Sequence, residues 1–441
     1  MDRTFDFDVI VIGAGFAGLA AARELQLAGL SYSVVEAKDR VGGRAWTSEA
    51  MGLPLEFGAT WVHWHQAHVW SEISRYQQDI VASPICSEGY WISSNQRHKG
   101  SQEELINLLS RPQAQILSDS KRLFPNPYKP LSGMQDDELR AELINHDHKS
   151  ITEALSSSTL SQEEIDVANG YWSSGCQGNI NNASSLMAKH WGSLTDNRID
   201  LFDEQTIGFK LKDGMRGLYE NMAADLANPV RLNTAVKRID HASDHAIVRY
   251  ANGESECAKE VILTAPLGAL RKIDFCPPLD HKKEKLIREG WNTTGFKIWI
   301  KLEGHHNFFG LAPAPNHCAF IRSEYFLEDN TTICVAFGPD NSKVDLNSLE
   351  DAQRLVNQWR DDLTVIDCTG HDWVNDPWAG QTWATLKKGQ FTDGWHHFLH
   401  TESALNFAGS DWAPGWRGIV VDGALESGIK QSRSVIKRLC N

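Results

Sequence analysis

The chain opens on an unbroken apolar run, Val9-Ile10-Val11-Ile12, of the kind a strand buried on both faces requires. A glycine turn, Gly13-Ala14-Gly15-Phe16-Ala17-Gly18, follows at once and leads into a helix expected near residues 16–28. Ser33-Val34-Val35 predicts a second strand, which ends on the acid Glu36. Residues 81–205 are polar and helical in pattern, without parallel-strand signals. Within them Ser101 stands three residues before Glu104, and Ser161 three before Glu164, a spacing that predicts capped helix starts. Pro125, Pro127 and Pro130 mark a loop. Further on, residues 212–226 predict a glycine turn and a helix, while 229–239, 247–250 and 261–266 predict strands. Residues 287–383 alternate like an antiparallel sheet, as in Phe296-Lys297-Ile298-Trp299 and Thr332-Ile333-Cys334-Val335. Alternation points Lys297 away from Phe296 and Ile298, a position that ordinarily faces solvent.

At 441 residues the chain exceeds one small core and suits two domains. The pattern predicts an α/β fold built from two interleaved parts. Residues 1–80, 206–286 and 384–441 form a Rossmann-like dinucleotide-binding domain. Residues 81–205 and 287–383 form an α+β substrate domain of antiparallel sheet and helices.

The glycine turn carries the first chemistry. Gly13 permits the tight turn, Gly15 lets backbone approach a pyrophosphate, and Gly18 lets helix and strand pack closely. Phe16 and Ala17 open the helix, whose free N–H groups and dipole favour phosphate. Glu36 lies 18 residues after Gly18, near the distance expected of the acid that binds a ribose hydroxyl. Ala37 and Lys38 follow it into the same site. Gly42-Gly43 forms a backbone concavity for an anion, and Arg44 offers a two-pronged donor; its alternative is a surface ion pair. A nicotinamide dehydrogenase has no use for that Gly-Gly-Arg. A flavin reductase using NADPH needs a second fingerprint, and residues 212–217 lack its spacing.

With Gly42-Gly43-Arg44 and Gly58-Ala59-Thr60-Trp61, the sequence resembles the flavin-dependent amine oxidases of the monoamine and polyamine oxidase type. Phe275-Cys276-Pro277-Pro278-Leu279, Phe407-Ala408-Gly409-Ser410-Asp411 and Asp422-Gly423-Ala424 carry the likeness through most of the chain. It implies an FAD-binding domain of the glutathione-reductase type. Gly42, Gly43 and Arg44 then lie along the diphosphate and ribityl chain, and Gly58 to Trp61 pass the flavin. Val236 touches the adenine through its backbone. Gly409, Ser410 and Asp411 hold the ribityl chain, and Val421 opens a last helix aimed at the flavin's pyrimidine edge.

The resemblance also implies the chemistry. A lysine matching Lys297 bonds through water to flavin N5 and assists oxygen reactivity. The segment Trp373-Val374-Asn375-Asp376-Pro377-Trp378 leads to Thr382-Trp383. Trp373 and Trp378 belong to the flavin site, with packing as their alternative, and Trp383 is one wall of an aromatic cage. Covalently flavinylated members carry cysteine where this chain has Thr382, so noncovalent FAD is expected. The opposite cage wall departs from the family pattern: it falls on Val420, with Trp416 the nearest aromatic to replace it. Tyr171 and Trp172 stand at the pocket gate. His63, Trp64 and His65 are further candidates to face the pocket. The implied reaction takes a hydride from the carbon beside an amine nitrogen, giving an imine that water hydrolyses, with dioxygen converted to hydrogen peroxide.

Three rivals share this framework. An L-amino acid oxidase needs a pocket arginine, for which Arg417 or Arg75 would serve. Oxidases of cyclic or N-methyl amines of the nicotine type need no further residue. The GDP-dissociation-inhibitor proteins share the architecture without catalysis.

Composition narrows the partners. A net charge of −14 disfavours nucleic acid and anionic membranes. Mean hydropathy is −0.38, and no apolar run has the length of a membrane span. Residues 1–7 are too polar for a signal peptide, which points to the cytoplasm. Eight cysteines without CxxC pairing indicate neither a disulfide scaffold nor a metal site. The expected partners are a small amine and dioxygen, and a homodimer is compatible with the sequence.

Overall fold

A computed structural model describes residues 4–156 and 159–440; the first three residues of the polar leader lie outside them. The apolar run becomes strand β1, Phe7–Ile12, with Val9, Ile10 and Val11 wholly buried. The glycine turn leads into helix α1, Phe16–Leu27, and then strand β2, Tyr32–Val35. β1 pairs in parallel with β2 on one side and with the strand Ser255–Leu263 on the other. That long strand divides its partners. Its first half pairs antiparallel with Ala246–Tyr250, and its end pairs in parallel with Leu405–Phe407. α1 packs on the C-terminal helix Val421–Leu439. A Cβ at Gly428 would lie 2.2 Å from the Ala17 carbonyl oxygen, so contact that close needs glycine.

The second sheet is ordered Val365–Gly370, Phe296–Glu303, Thr331–Gly338, Phe320–Leu327, Phe308–Leu311, Glu88–Ser93 and Gln96–Ser101. Its last two strands correct the helical expectation for 81–205. Glu88–Ser93 pairs in parallel with Phe308–Leu311 and antiparallel with Gln96–Ser101. The hairpin turns on Ser94 and Asn95, at φ 52° and 62°, a conformation usually signalled by glycine and here carried without it. A second correction concerns 229–239. Only Val236–His241 is strand, because Asn233 turns left-handed at φ 54° and breaks the extension.

The capping expectations hold. Gln102–Ile116 and Gln162–Cys176 each begin with a reciprocal serine–glutamate box, Ser101 with Glu104 and Ser161 with Glu164. A third box, Ser150 with Glu153, starts Ile151–Leu155. Among the described residues, no cysteine forms a disulfide. Among the described residues, no helix is long and apolar enough to cross a membrane.

Candidate active site

One cavity collects residues from both sheets and from the helical stretch between them. One part of its wall is the N-terminus of α1, where the sequence predicts the nucleotide. Gly15, the residue before the helix, supplies no side-chain cap, and the first turn holds no acid. Gly13, Gly15, Phe16 and Ala17 line the cavity. The Gly42-Gly43 turn, at φ 97° and 62°, lies against them and bonds through Gly42 N to Ala14 O at 2.9 Å. Arg40 fixes that turn by donating to the carbonyls of Val41, Gly43 and Ala45, a role with no sequence signal beyond its place in the motif. Gly18 does not line the cavity. A Cβ there would fall 1.9 Å from Gly13 O, so its glycine serves packing.

Glu36 is buried on the same wall. One carboxylate oxygen accepts from Ala14 N at 2.8 Å and the other from Lys38 N at 2.9 Å, and lone pairs remain for a ribose hydroxyl. Ala37 and Lys38 line the cavity, and the Lys38 ammonium pairs with Asp376 at 2.5 Å. Val236, Trp373 and Trp378 also line it, with the Trp373 indole fixed on Phe57 O at 2.7 Å.

Arg44 lines the cavity while joining the two ends of the chain. It donates to Thr382 O at 2.8 Å, to Ser410 Oγ at 2.8 Å and to Asp411 Oδ1 at 2.5 Å. Gly409 and Ser410 line the cavity, but Asp411 does not. Its carboxylate is a buried anchor, also receiving Trp291 Nε1, Gln381 Nε2 and Leu267 N. Arg44 beside it holds the Asp411 carboxyl below its usual range despite burial.

A second open helix end faces the cavity. The C-terminal helix has no side-chain cap at Val420, and both Val420 and Val421 are lining residues. The acid in its first turn, Asp422, is committed elsewhere: it accepts from His68 N and Val69 N at the start of Ala67–Arg75. Two uncapped helix starts on one cavity, with a glycine cradle and Glu36 at one end, fit a dinucleotide whose anionic parts lie on free amides.

At the other end Gly58, Ala59, Thr60 and Trp61 line the wall beside Lys297. Lys297 is buried, not solvent-facing. Its ammonium donates to Glu56 O at 2.7 Å, Gly58 O at 3.0 Å and Thr60 Oγ1 at 2.5 Å. Burial pulls its pKa well down, and the same burial pushes the neighbouring Glu56 carboxyl up. Trp383 is held by an indole bond to Gly175 O at 2.9 Å and meets Phe337 edge-on at 6.0 Å.

Where the second cage aromatic is expected, Ile419 and Val420 line the cavity. Trp416 does not replace it. That ring is buried outside the lining, stacked on Phe202 at 6.3 Å. Tyr171 and Trp172 do line the cavity, joined by Phe202, Thr206 and Ile207, which sequence reasoning missed. The last two sit on a π-helical turn, Glu204–Gly208, a form with no local sequence mark. His63, Trp64 and His65 stay off the lining; His63 packs on Trp64 at 4.0 Å, 3.1 Å from Glu204. Arg75 pairs with Glu72, and Arg417 is buried against Trp395 and Phe391. Among the described residues, Arg44 is the only arginine on the cavity, and it is already paired.

Comparison with known proteins agrees. A family model described as flavin containing amine oxidoreductase matches residues 16–436. The pseudooxynicotine dehydrogenase of a Pseudomonas species is 30% identical over 440 residues, covering 97% of this chain and 86% of its own length. The (S)-6-hydroxynicotine oxidase of Paenarthrobacter nicotinovorans is 26% identical, covering 96% of this chain and 97% of its own. Among solved structures, a putrescine oxidase bound to putrescine superposes with a TM-score of 0.82 at 22% identity, covering 98% of this chain and 99% of its own, a likeness of fold. With its cofactor end and its apolar end on one cavity, the chain belongs to the flavin-containing amine oxidoreductases, enzymes that act on amine donors with FAD.

Proposed function

We propose that the chain oxidises an amine with a substituted nitrogen, cyclic or N-methylated, and passes the electrons to dioxygen with release of hydrogen peroxide. When bound, FAD supplies a two-electron acceptor for hydride from the carbon beside the nitrogen. The chain's own part is positioning and exclusion of water. Trp383, fixed by Gly175, and Phe337 present aromatic faces to the donor. The apolar wall favours the neutral amine, which alone gives up hydride readily. Lys297, clamped by three oxygens, stands ready at the cavity wall for oxygen chemistry.

The observation carrying the substrate reading is the aliphatic pair Ile419 and Val420 where a second cage aromatic is expected. Smaller side chains leave room for a substituent on nitrogen, and the nicotine-type relatives point the same way. The missing unpaired arginine weighs against an amino acid substrate. Noncovalent FAD follows from Thr382, whose hydroxyl forms no thioether. The proposed division keeps residues 1–80, 206–286 and 384–441 as the FAD-binding domain, and cysteines that form no disulfide among the described residues support a reducing compartment such as the cytoplasm. A peroxide-coupled screen of primary, secondary, cyclic and polyamines with amino acids tests the reading. Peroxide with secondary or cyclic amines is expected; activity confined to amino acids overturns it.

A further inference from the structure

An amine arrives at neutral pH as ammonium, yet it must lose a proton before it yields hydride. With an amine pKa near that of lysine, roughly one molecule in a thousand is neutral at pH 7. A proton acceptor inside the cavity would remove that handicap. The described lining offers few choices: no histidine and, apart from Glu36 at the nucleotide end, no carboxylate. Glu36 is engaged by Ala14 N and Lys38 N. The Lys297 nitrogen is already held by three oxygens, Glu56 O, Gly58 O and Thr60 Oγ1.

Tyr171 differs. Its ring lines the cavity, and its hydroxyl donates to Asp203 Oδ1. With its proton turned to the carboxylate, the phenol oxygen keeps its lone pairs free, the arrangement that receives an N–H. Tyr171 stands four residues before Gly175, whose carbonyl holds Trp383, so it lies one helical turn, about 6 Å along the axis, from the aromatic wall. Asp203 makes no other side-chain hydrogen bond among the described residues. It is half-buried, and its neighbour Glu204 is exposed, which gives the proton a way out.

We propose that Tyr171 and Asp203 form a relay that takes the proton of the incoming ammonium substrate. The ammonium N–H breaks as the phenol oxygen gains that proton, and the phenol's own proton passes to the Asp203 carboxylate. No electrons move, and the amine is left neutral in the apolar chamber. Tyr171 is the group that touches substrate; Asp203 acts through it. Burial pushes the Asp203 carboxyl up to about 7, where it changes charge near neutrality.

The groups around Asp203 leave this role open. Asp200, one turn earlier, is paired with Arg198, and Glu204 is paired with His63. From Gln162–Cys176, Tyr171 reaches it; Arg111 on Gln102–Ile116 is turned to Glu164. On Ser185–Ser193, Lys189 donates to Ile116 O and Ser118 O, and His190 bonds to Pro127 O.

The inference rests on the amine reading of the same cavity. The test is the pH profile of kcat/KM, and of anaerobic flavin bleaching, for wild type, Asp203→Asn, Tyr171→Phe and Asp203→Glu. Bound-flavin absorbance reports that each variant is folded and loaded. The wild-type acid limb should end near neutrality. In Asp203→Asn and Tyr171→Phe it should move up towards the amine's own pKa. Rates should then fall about 10-fold or more at pH 7 and return to within about 2-fold at pH 10, with Asp203→Glu restoring much of the loss. A uniform loss at every pH, or none, overturns the relay while leaving the amine reading intact. A wild type that bleaches with no amine defeats that reading and the relay with it.

Discussion

Two groups of helix starts in this protein behave in opposite ways. Gln102–Ile116, Ile151–Leu155 and Gln162–Cys176 each close their first amides with a serine and a glutamate of their own. α1 and the C-terminal helix Val421–Leu439 leave theirs without side-chain caps, and both open onto the one cavity. Closing a helix start is easy and contributes about 1 kcal/mol. Leaving one open is costly unless something else supplies the acceptor. The three boxed helices satisfy their own first amides, whereas α1 and the C-terminal helix leave theirs without a side-chain cap on the cavity.

Breaking that contrast at α1 should have the largest effect. Gly15→Asp would supply the missing cap: Gly15 sits at φ −73° and a Cβ there meets nothing closer than 3.8 Å, so the chain should still fold. The new carboxylate would occupy the amides and repel a diphosphate. FAD affinity should fall about 100-fold, near 2.7 kcal/mol, by flavin fluorescence titration. Unchanged affinity would show that those amides do not hold the cofactor.

Lys297→Met should act on one half-reaction. Stopped-flow reoxidation by oxygen should slow about 10-fold, with reduction by amine changed less than about 3-fold. Equal slowing of both steps would remove its oxygen role. Trp383→Ala should lower kcat/KM for the best amine about 10-fold with FAD content unchanged, since Trp383 lines the cavity and is proposed to face the substrate. Unaltered kinetics would take Trp383 out of the site. The smallest effect belongs to a closed start. Ser161→Ala should cost about 1 kcal/mol of stability in urea unfolding and leave FAD affinity untouched. A change in FAD affinity there would erase the distinction between the two kinds of helix.

The open starts were legible because their signals are local. Gly13, Gly15, Gly42 and Gly43 set backbone shape within a few residues, and Glu36 follows at a fixed distance along one βαβ unit. The serine–glutamate boxes were legible for the same reason. What escaped was held by distant partners. Asp411 looked like a cofactor contact, but Arg44, 367 positions away in sequence, claims it. Trp416 looked like a cage wall, and its burial against Phe202 depends on a helix elsewhere in the chain. Strand alternation alone pointed Lys297 to solvent, and the family resemblance placed it at the flavin; its burial comes from Glu56, Gly58 and Thr60, all distant in sequence. Asp203 carried no motif at all; its meaning comes from Tyr171, 32 residues earlier. The hairpin Glu88–Ser93 with Gln96–Ser101 was hidden by a left-handed Ser94-Asn95 turn without glycine.

The account rests on FAD lying along the whole cavity, and a crystal structure of the protein with bound FAD tests this most directly. It should place diphosphate oxygens within about 3.2 Å of the amides that open α1. The flavin ring should lie between the start of the C-terminal helix and Lys297, exposed to the chamber walled by Trp383 and Tyr171. A diphosphate elsewhere, or a ring sealed off from that chamber, would contradict it.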